Sequence, residues 1–262
     1  IVNPPSTTHT VHGVNITAMN KRTRASYASA EACVSTWTAR SAGLEGWQSV
    51  CWSPELSIFV AVASAGSVGA NWVMTSPDGI TWTARSAAEN NGWYSVCWSP
   101  ELSIFVAVAF SGTNRVMTSP NGITWTARSA AENNGWRGVC WSPELSIFVA
   151  MAESGTNRVM TSSDGITWTA RSAPSSNWQS VCWSPELSIF VAVAYMGTDR
   201  VMTSSDGITW TARSAAEVNG WLSICWSPEL SIFVAVSYSG TNRVMTSPDG
   251  ITWTARSAAE AN

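Results

Sequence analysis

The sequence predicts an all-β protein, a β-propeller built from four-stranded blades. Two observations lead there. First, the stretch WSPELSIFVA occurs five times, preceded by Cys51, Cys97, Cys140, Cys182 and Cys225, and the stretch ITWTARSA returns with Trp82, Trp125, Trp168, Trp210 and Trp253. Copies lie about 43 residues apart, a period shared by four-strand propeller blades and by two-helix repeats. Second, the repeated segments read as strands and not as helices. Ile104–Ala109 is β-branched and aromatic, with Ile104, Val106 and Val108 on one face and Phe105, Ala107 and Ala109 on the other. Both faces are apolar, so both are expected to be covered, as in a middle strand packed between neighbouring blades. No segment carries an apolar period of 3.6 residues long enough for a stable helix.

Within the unit Gly92–Asn134 the elements follow in order. Ser95–Trp98 is a short apolar strand, and Ser99-Pro100 ends it because proline cannot donate to a ladder. Ile104–Ala109 is the second strand. Arg115–Ser119 is the third, and Ile123–Arg128 is the fourth. Between the third and fourth, Pro120-Asn121-Gly122 signals a tight turn in which glycine adopts positive φ. The segment SAAEN is at most a single helical turn. Met117 and its equivalents read as core filler.

One propeller domain is expected over 1–262, with repeated blades at 47–92, 93–135, 136–177, 178–220 and 221–262. Residues 1–46 are about one repeat long and are expected to form a divergent first blade, as terminal repeats often do. Six units of that length nearly fill 262 residues, so six blades are expected. Within this segment Val14–Met19 reads as a strand, and Val34–Ala42 reads as a copy of the fourth strand. The alternative is five blades plus an N-terminal arm that joins a neighbouring molecule by strand addition, which would make residues 1–46 a point of self-association. No leader peptide and no apolar run of about twenty residues is visible, so membrane insertion is not expected.

The turn between third and fourth strands reads Ser76-Pro77-Asp78-Gly79-Ile80-Thr81-Trp82 and recurs from Ser119, Ser162, Ser204 and Ser247. It resembles the Asp-box of BNR-type, sialidase-like propellers, S-x-D-x-G-x-T-W. Every copy lacks the residue between Asp and Gly, and Asn121 replaces the aspartate once. The resemblance implies a blade turn, in which Asp78, Asn121, Asp164, Asp206 and Asp249 are structural. Their side chains are expected to accept backbone N–H bonds within the turn, while the following tryptophan fills the gap between blades. It also implies an extracellular setting, in line with a lone glycosylation sequon at Asn15-Ile16-Thr17.

Composition narrows the function classes. Charged residues make up 12%, and the net charge of −3 offers no basic footprint for nucleic acid. The five repeated cysteines occupy one equivalent position and read as buried free thiols, with Cys33 out of register and open to an intermolecular bond. No metal or cofactor is expected. The only histidines, His9 and His12, would point to opposite faces of a strand. Catalysis needs different groups converging on one point, whereas near-identical units supply each group five times over. Arg85, Arg128, Arg171, Arg213 and Arg256 are equivalents on outer strands and do not converge. No catalytic residues are expected.

Binding is the expected role. The units differ at few places. After the first tryptophan stand Gln48, Tyr94, Arg137, Gln179 and Leu222; after the second strand stand Ser64, Phe110, Glu153, Tyr195 and Tyr238. These are strand ends, where loops carry function. Trp47, Trp93, Trp136, Trp178 and Trp221, which open each unit, are candidate stacking faces for a glycan or glycoprotein, with Tyr94, Arg137, Tyr195 and Tyr238 beside them. Their other role would be inter-blade core. Several weak equivalent sites would act through avidity. The leading expectation is a lectin-like, multivalent, non-catalytic binding propeller. A structural subunit of an extracellular fibre or coat, joined through the N-terminal segment, and a protein-interaction scaffold are the alternatives.

Overall fold

A computed structural model of the chain describes residues 8–11, 14–17, 39, 45–64 and 71–259. The chain divides into two units, residues 1–39 and 40–262. In the first, strands β1 (Thr8–Val11) and β2 (Val14–Thr17) pair antiparallel, with Thr8 opposite Thr17 and Val11 opposite Val14. The strand expected near Val14 is therefore present. The second unit holds five antiparallel four-stranded sheets, each built from consecutive strands in the order 1-2-3-4.

Five blades, not six, correct the expectation from length. Among the described residues the N-terminal segment contributes one two-stranded hairpin and no four-stranded sheet. It has no copy of WSPELSIFVA, the stretch that elsewhere supplies the end of the first strand, the first turn and the whole second strand. Residue count reached one more repeat; strand-forming sequence did not. The expected fourth-strand copy at 34–42 and Cys33 fall outside the described residues, apart from Ala39, which lies in no element.

The first blade comprises β3 (Trp47–Ser53), β4 (Ile58–Ala63), β5 (Val73–Ser76) and β6 (Thr83–Arg85). The second comprises β7 (Trp93–Ser99), β8 (Ile104–Ala109), β9 (Val116–Ser119) and β10 (Thr126–Arg128), and the remaining three repeat this pattern. The fourth strand begins three residues later than expected. The reason is local: Asn121 Oδ1 accepts the N–H groups of Ile123 and Thr124, both at 2.9 Å, so those donors are taken by the turn. The SAAEN segment is a bend without helix. In the turn after the first strand, Ser99 Oγ accepts the N–H of Leu102 at 3.2 Å, and Ser103 adopts φ 51°, a left-handed conformation repeated at Ser57, Ser146, Ser188 and Ser231.

Four apolar clusters hold the blades together, and each lies between two successive blades. In the first cluster Val60, Val62 and Val73 of the first blade meet Trp93, Val96, Trp98, Phe105, Met117 and Trp125 of the second. The two-residue period of a strand explains the division. The valine face of one blade's second strand meets the Phe/Ala face of the next blade's second strand, so β8 is buried on both sides as expected. Polar bonds repeat at the same junctions. Trp98 Nε1 donates to Glu55 Oε2 (2.7 Å), Trp141 to Glu101 (2.7 Å), Trp183 to Glu144 (2.6 Å) and Trp226 to Glu186 (2.7 Å). Arg115, Arg158 and Arg200 each reach forward through Nη1 to a backbone carbonyl of the next blade's entry loop, at Asn134, Ser176 and Asn219.

Candidate functional site

The turns resembling the Asp-box are structural in every copy. In the fourth blade Ser204 Oγ accepts from Gly207 N (2.8 Å), Asp206 Oδ1 accepts from Ile208 N (2.8 Å) and Thr209 N (2.7 Å), and Trp210 Nε1 closes onto Gly207 O (3.1 Å). Asp78, Asp164 and Asp249 repeat this, and Asn121 does so with its amide oxygen. Burial works to raise the Asp206 carboxyl, but the N–H groups of Thr209 and Ile208 and the Ser204 hydroxyl outweigh it and hold it below the usual aspartate range. A carboxylate held low contributes stability above the ordinary aspartate pKa, and that stability is lost as pH falls through the folded value. Asp206→Ala is expected to cost about 1 kcal/mol, as loss of a side-chain cap on solvent-reachable N–H groups does. Asp206→Asn is expected to cost less, because Asn121 already makes the same bonds. Urea unfolding of the two variants at neutral pH measures the difference.

Four of the five leading tryptophans are enclosed in the clusters between blades. Trp93, Trp136, Trp178 and Trp221 are each 0% exposed, and Trp47 is half-buried. The indole N–H groups of the first four donate to carbonyls four residues upstream, at Glu89, Glu132, Pro174 and Glu217. Their faces are covered by the preceding blade, so a glycan has no ring to stack on there. The sequence signal misleads because an aromatic after a glycine-rich loop has the same pattern whether it faces a groove or fills a junction.

The variable positions do come together. In every blade the ladder between first and second strands slips at its start: Trp93 pairs with Ala109, yet Ser95 pairs with Val108. The residue in between is a β-bulge, which leaves the ladder and re-aims its side chain. The bulge residues are Gln48, Tyr94, Arg137, Gln179 and Leu222. Tyr94 meets Phe110 and Arg137 meets Glu153, in each case the residue just after the blade's own second strand.

The rim is aromatic and charge-compensated. Tyr94 meets Phe110 edge-on, with ring centroids 5.9 Å apart at 63°. The Arg137 guanidinium of the next blade lies over both rings, 4.0 Å from the Tyr94 centroid and 4.6 Å from that of Phe110. Its other edge pairs with Glu153 at 2.7 Å. Gln179 Nε2 also donates to Glu153, at 3.3 Å. Farther along, Tyr195 and Tyr238 lie 6.4 Å apart, with Tyr238 69% exposed. Arg137, Glu153, Asn177, Gln179, Tyr195, Met196 and Leu222 enclose a shallow groove of roughly 340 Å³. Of the residues singled out in the sequence, Arg137, Glu153, Gln179, Tyr195 and Leu222 line this groove, while Tyr94 and Tyr238 do not. Asn177 and Met196 were not singled out.

Asn177 had a signal, however. Gly135 and Gly220 precede their blades' first tryptophan, and a Cβ there would lie 2.5 Å from Phe110 Cε2 and 2.6 Å from Tyr195 Cε2. Glycine is required where the preceding blade carries an aromatic ring at its rim. Where that blade carries Glu153 instead, the equivalent position is Asn177. The rim also contains a donor with no acceptor: Arg200 Nε is buried and unpaired, whereas Arg115 and Arg158 donate from the same atom to Gly112 and Gly155.

Among the described residues no group of three His, Cys, Asp or Glu side chains is placed to hold a metal. His9 lies in β1, and His12 lies outside the described residues. The cysteines at 51, 97, 140, 182 and 225 are free thiols on the blades' first, inner strands, which lie side by side; the first four are part-buried and Cys225 is exposed, so the expected full burial is not reached. No helix of the described residues is long and apolar enough to cross a membrane.

Comparison with known proteins agrees on the fold alone. No family model matches the chain, so the Asp-box likeness does not place it in a family. No curated protein sequence matches it. Solved structures of propeller type do. A chain in the crystal structure of a nidogen/laminin complex shares 10% identity over 77% of this chain and 75% of that one, with a TM-score of 0.58. The computationally designed Ika8 protein shares 15% over 78% of this chain and 59% of that one, at 0.56. A putative TolB from Agrobacterium tumefaciens shares 14% over 80% of each, at 0.56. The chain has a propeller-type fold of five four-stranded blades.

Proposed function

We propose that the protein is a non-catalytic binding propeller whose rim groove takes a segment of a protein partner. One observation carries this reading: the positions at which the otherwise uniform blades differ are the positions that meet along the groove. A scaffold that repeats its core and varies its bulge residues keeps the blade junctions constant while changing one surface. The residues used there fit a protein ligand. Tyrosine and arginine dominate the energetics of protein interfaces, and methionine adapts to irregular apolar surfaces. Arg137 is already neutralised by Glu153 and stacked on two rings, so the groove offers shape, aromatic area and hydrogen bonds more than net charge. A nidogen/laminin complex among the structural neighbours is consistent with a fold that presents a surface to another protein.

A glycan is the second reading, favoured by the exposed Tyr238 ring beside Tyr195. It would act at this one rim and not through five equivalent tryptophan sites. The two separate in a single experiment. A displayed random-peptide library is panned on the whole chain and counter-selected on Arg137→Ala and Tyr195→Ala, and the same proteins are applied to a glycan array. Peptides that lose about tenfold or more in affinity on either variant are expected, in line with truncation of an interface anchor. Binders indifferent to both variants, or array signals that vanish with Tyr195→Ala while no peptide is enriched, overturn the protein-ligand reading.

A further inference from the structure

The second, third and fifth blades share one pair of rim loops. Each is entered by Glu-x-Asn-Gly, and each continues from its second strand through Ser-Gly-Thr-Asn. The two loops are tied by one carboxylate. In the third blade Glu132 Oε1 accepts from Asn157 Nδ2 (2.6 Å), and Oε2 accepts from Asn157 N (3.2 Å) and Asn134 Nδ2 (3.0 Å). Glu89 and Glu217 repeat this. The fourth blade departs at every one of these positions. It is entered by Pro174-Ser175-Ser176-Asn177 and continues through Met196-Gly197-Thr198-Asp199. Its loops are tied instead by Ser176 Oγ to Asp199 O (2.6 Å) and by Asn177 N to Met196 O (2.8 Å). The exchange leaves Arg200 Nε buried without an acceptor, which is destabilising. A repeat that gives up a satisfied network at one place points to function there, and this is the blade that builds the groove: Asn177, Tyr195 and Met196 line it together with Leu222 of the next blade.

We propose that the groove selects an uncharged, extended peptide segment, with its main chain on the Asn177 amide and one apolar side chain between Tyr195, Met196 and Leu222, a specification that rests on the protein-ligand reading above. The amide comes first. Asn177 stands where Gly46, Gly92, Gly135 and Gly220 open the other blades. It is half-buried at the groove, and among the described residues its side chain bonds to no protein group. An asparagine amide offers a donor and an acceptor side by side, the complement of the C=O and N–H of an extended main chain.

The apolar side chain follows from the neighbours. Met196 replaces Ser111, Ser154 and Ser239, and Leu222 stands where Gln48, Tyr94, Arg137 and Gln179 occupy the other bulges. Met196 is 52% exposed and Leu222 41% exposed, so with the Tyr195 ring they form an apolar end to a groove whose other end is polar. Methionine adapts its shape to an apolar partner. The absence of charge follows from the pairing. Arg137 and Glu153 are the charged residues lining the groove; they bond to each other at 2.7 Å, and Gln179 adds a donor to the same carboxylate. A charged ligand side chain would have to part this pair or enter without a partner, and both are costly.

Reversion toward the other blades tests it. Asn177→Gly and Met196→Ser place at the groove the residues that equivalent positions already carry, so the fold is expected to survive, and the urea midpoint of each variant checks that it does. The probes are synthetic copies of the peptides enriched on the whole chain, each also made with its apolar anchor exchanged for Lys or Asp. Each reversion is expected to weaken the parent peptides by about fivefold or more, through a lost hydrogen bond or lost apolar contact. The Lys and Asp copies are expected to bind at least about tenfold more weakly. Affinity of the parents is expected to change by less than about twofold from about 0.05 M to about 0.5 M sodium chloride, because no net charge is matched. Enriched peptides that depend on Arg137 and Tyr195, yet carry a charged anchor, weaken steeply with salt or bind both reversions unchanged, overturn this proposal and leave the protein-ligand reading standing. Enrichment of no peptide at all overturns both.

Discussion

Replacing Trp136 by alanine is expected to destabilise the stack by about 3–5 kcal/mol, the range found when a large aromatic is removed from a close-packed interior. Trp136 is 0% exposed and sits in the cluster that joins the second and third blades, against Val106, Val108 and Val116 on one side and within reach of Phe148 on the other. Its indole N–H donates to Glu132 O at 3.1 Å, so truncation also orphans an acceptor. Such a loss is a large part of the total stability of a domain, about 5–15 kcal/mol. Because each blade of a repeat protein contacts only its neighbours, the loss is expected to be local in origin. Urea unfolding followed by far-ultraviolet circular dichroism should therefore show an earlier transition, and two steps where wild type shows one. Trp52→Ala is the internal control. The same residue type at 39% exposure should cost a small fraction of that amount. If Trp136→Ala instead unfolded within about 1 kcal/mol of wild type, the ring would not be core, and the ligand-facing role would return.

That contrast between an enclosed tryptophan and a half-exposed one shows what the sequence could and could not convey. Strand identity was legible because Ile104–Ala109 has apolar side chains on both faces, and only a strand buried on both sides tolerates that. The turn was legible because Ser-x-Asp-Gly has one good hydrogen-bonding solution. The direction of the leading tryptophans was not, since burial is a property of the neighbouring blade and not of the segment itself. Blade number failed for a related reason: residues 1–46 have the length of a unit without the WSPELSIFVA stretch that makes its second strand. The rim was half legible. Comparing units picked out Tyr94, Arg137, Tyr195 and Tyr238, but the bulge that turns the first two outward is a register slip, and register is set by pairing across strands. Asn177 could have been found from the exchange of Gly135 and Gly220 for asparagine, once an aromatic at the preceding rim was known to need the space.

The largest pH effect is expected on the alkaline side and comes from the inner strands. Burial pushes the Cys51 thiol up to about 11 and the Cys140 thiol up to about 12 from an ordinary 9.0. Burial also raises Cys97 and Cys182 well above that value, and the neighbouring thiols of the row add to it, because a charge on one disfavours a charge on the next. The direction of the consequence follows from which state gives up the proton first. The unfolded chain ionises near pH 9 while the folded inner strands keep their thiols neutral. Stability due to neutral thiols is complete below about pH 9 and drains as pH rises toward the folded values, by up to about 1.4 kcal/mol per pH unit for each enclosed thiol. The urea midpoint should hold steady from neutrality to about pH 9 and fall steeply by pH 10.5. The double variant Cys140→Ala, Cys182→Ala should begin less stable, since small cavities replace the sulfurs, but fall with a shallower slope. Maleimide labelling gives a second readout: Cys225 is exposed and should react first, ahead of Cys97, Cys140 and Cys182. Parallel falls in the two proteins would mean that the thiol row does not sense its burial, and the close approach of the inner strands would have to be redrawn.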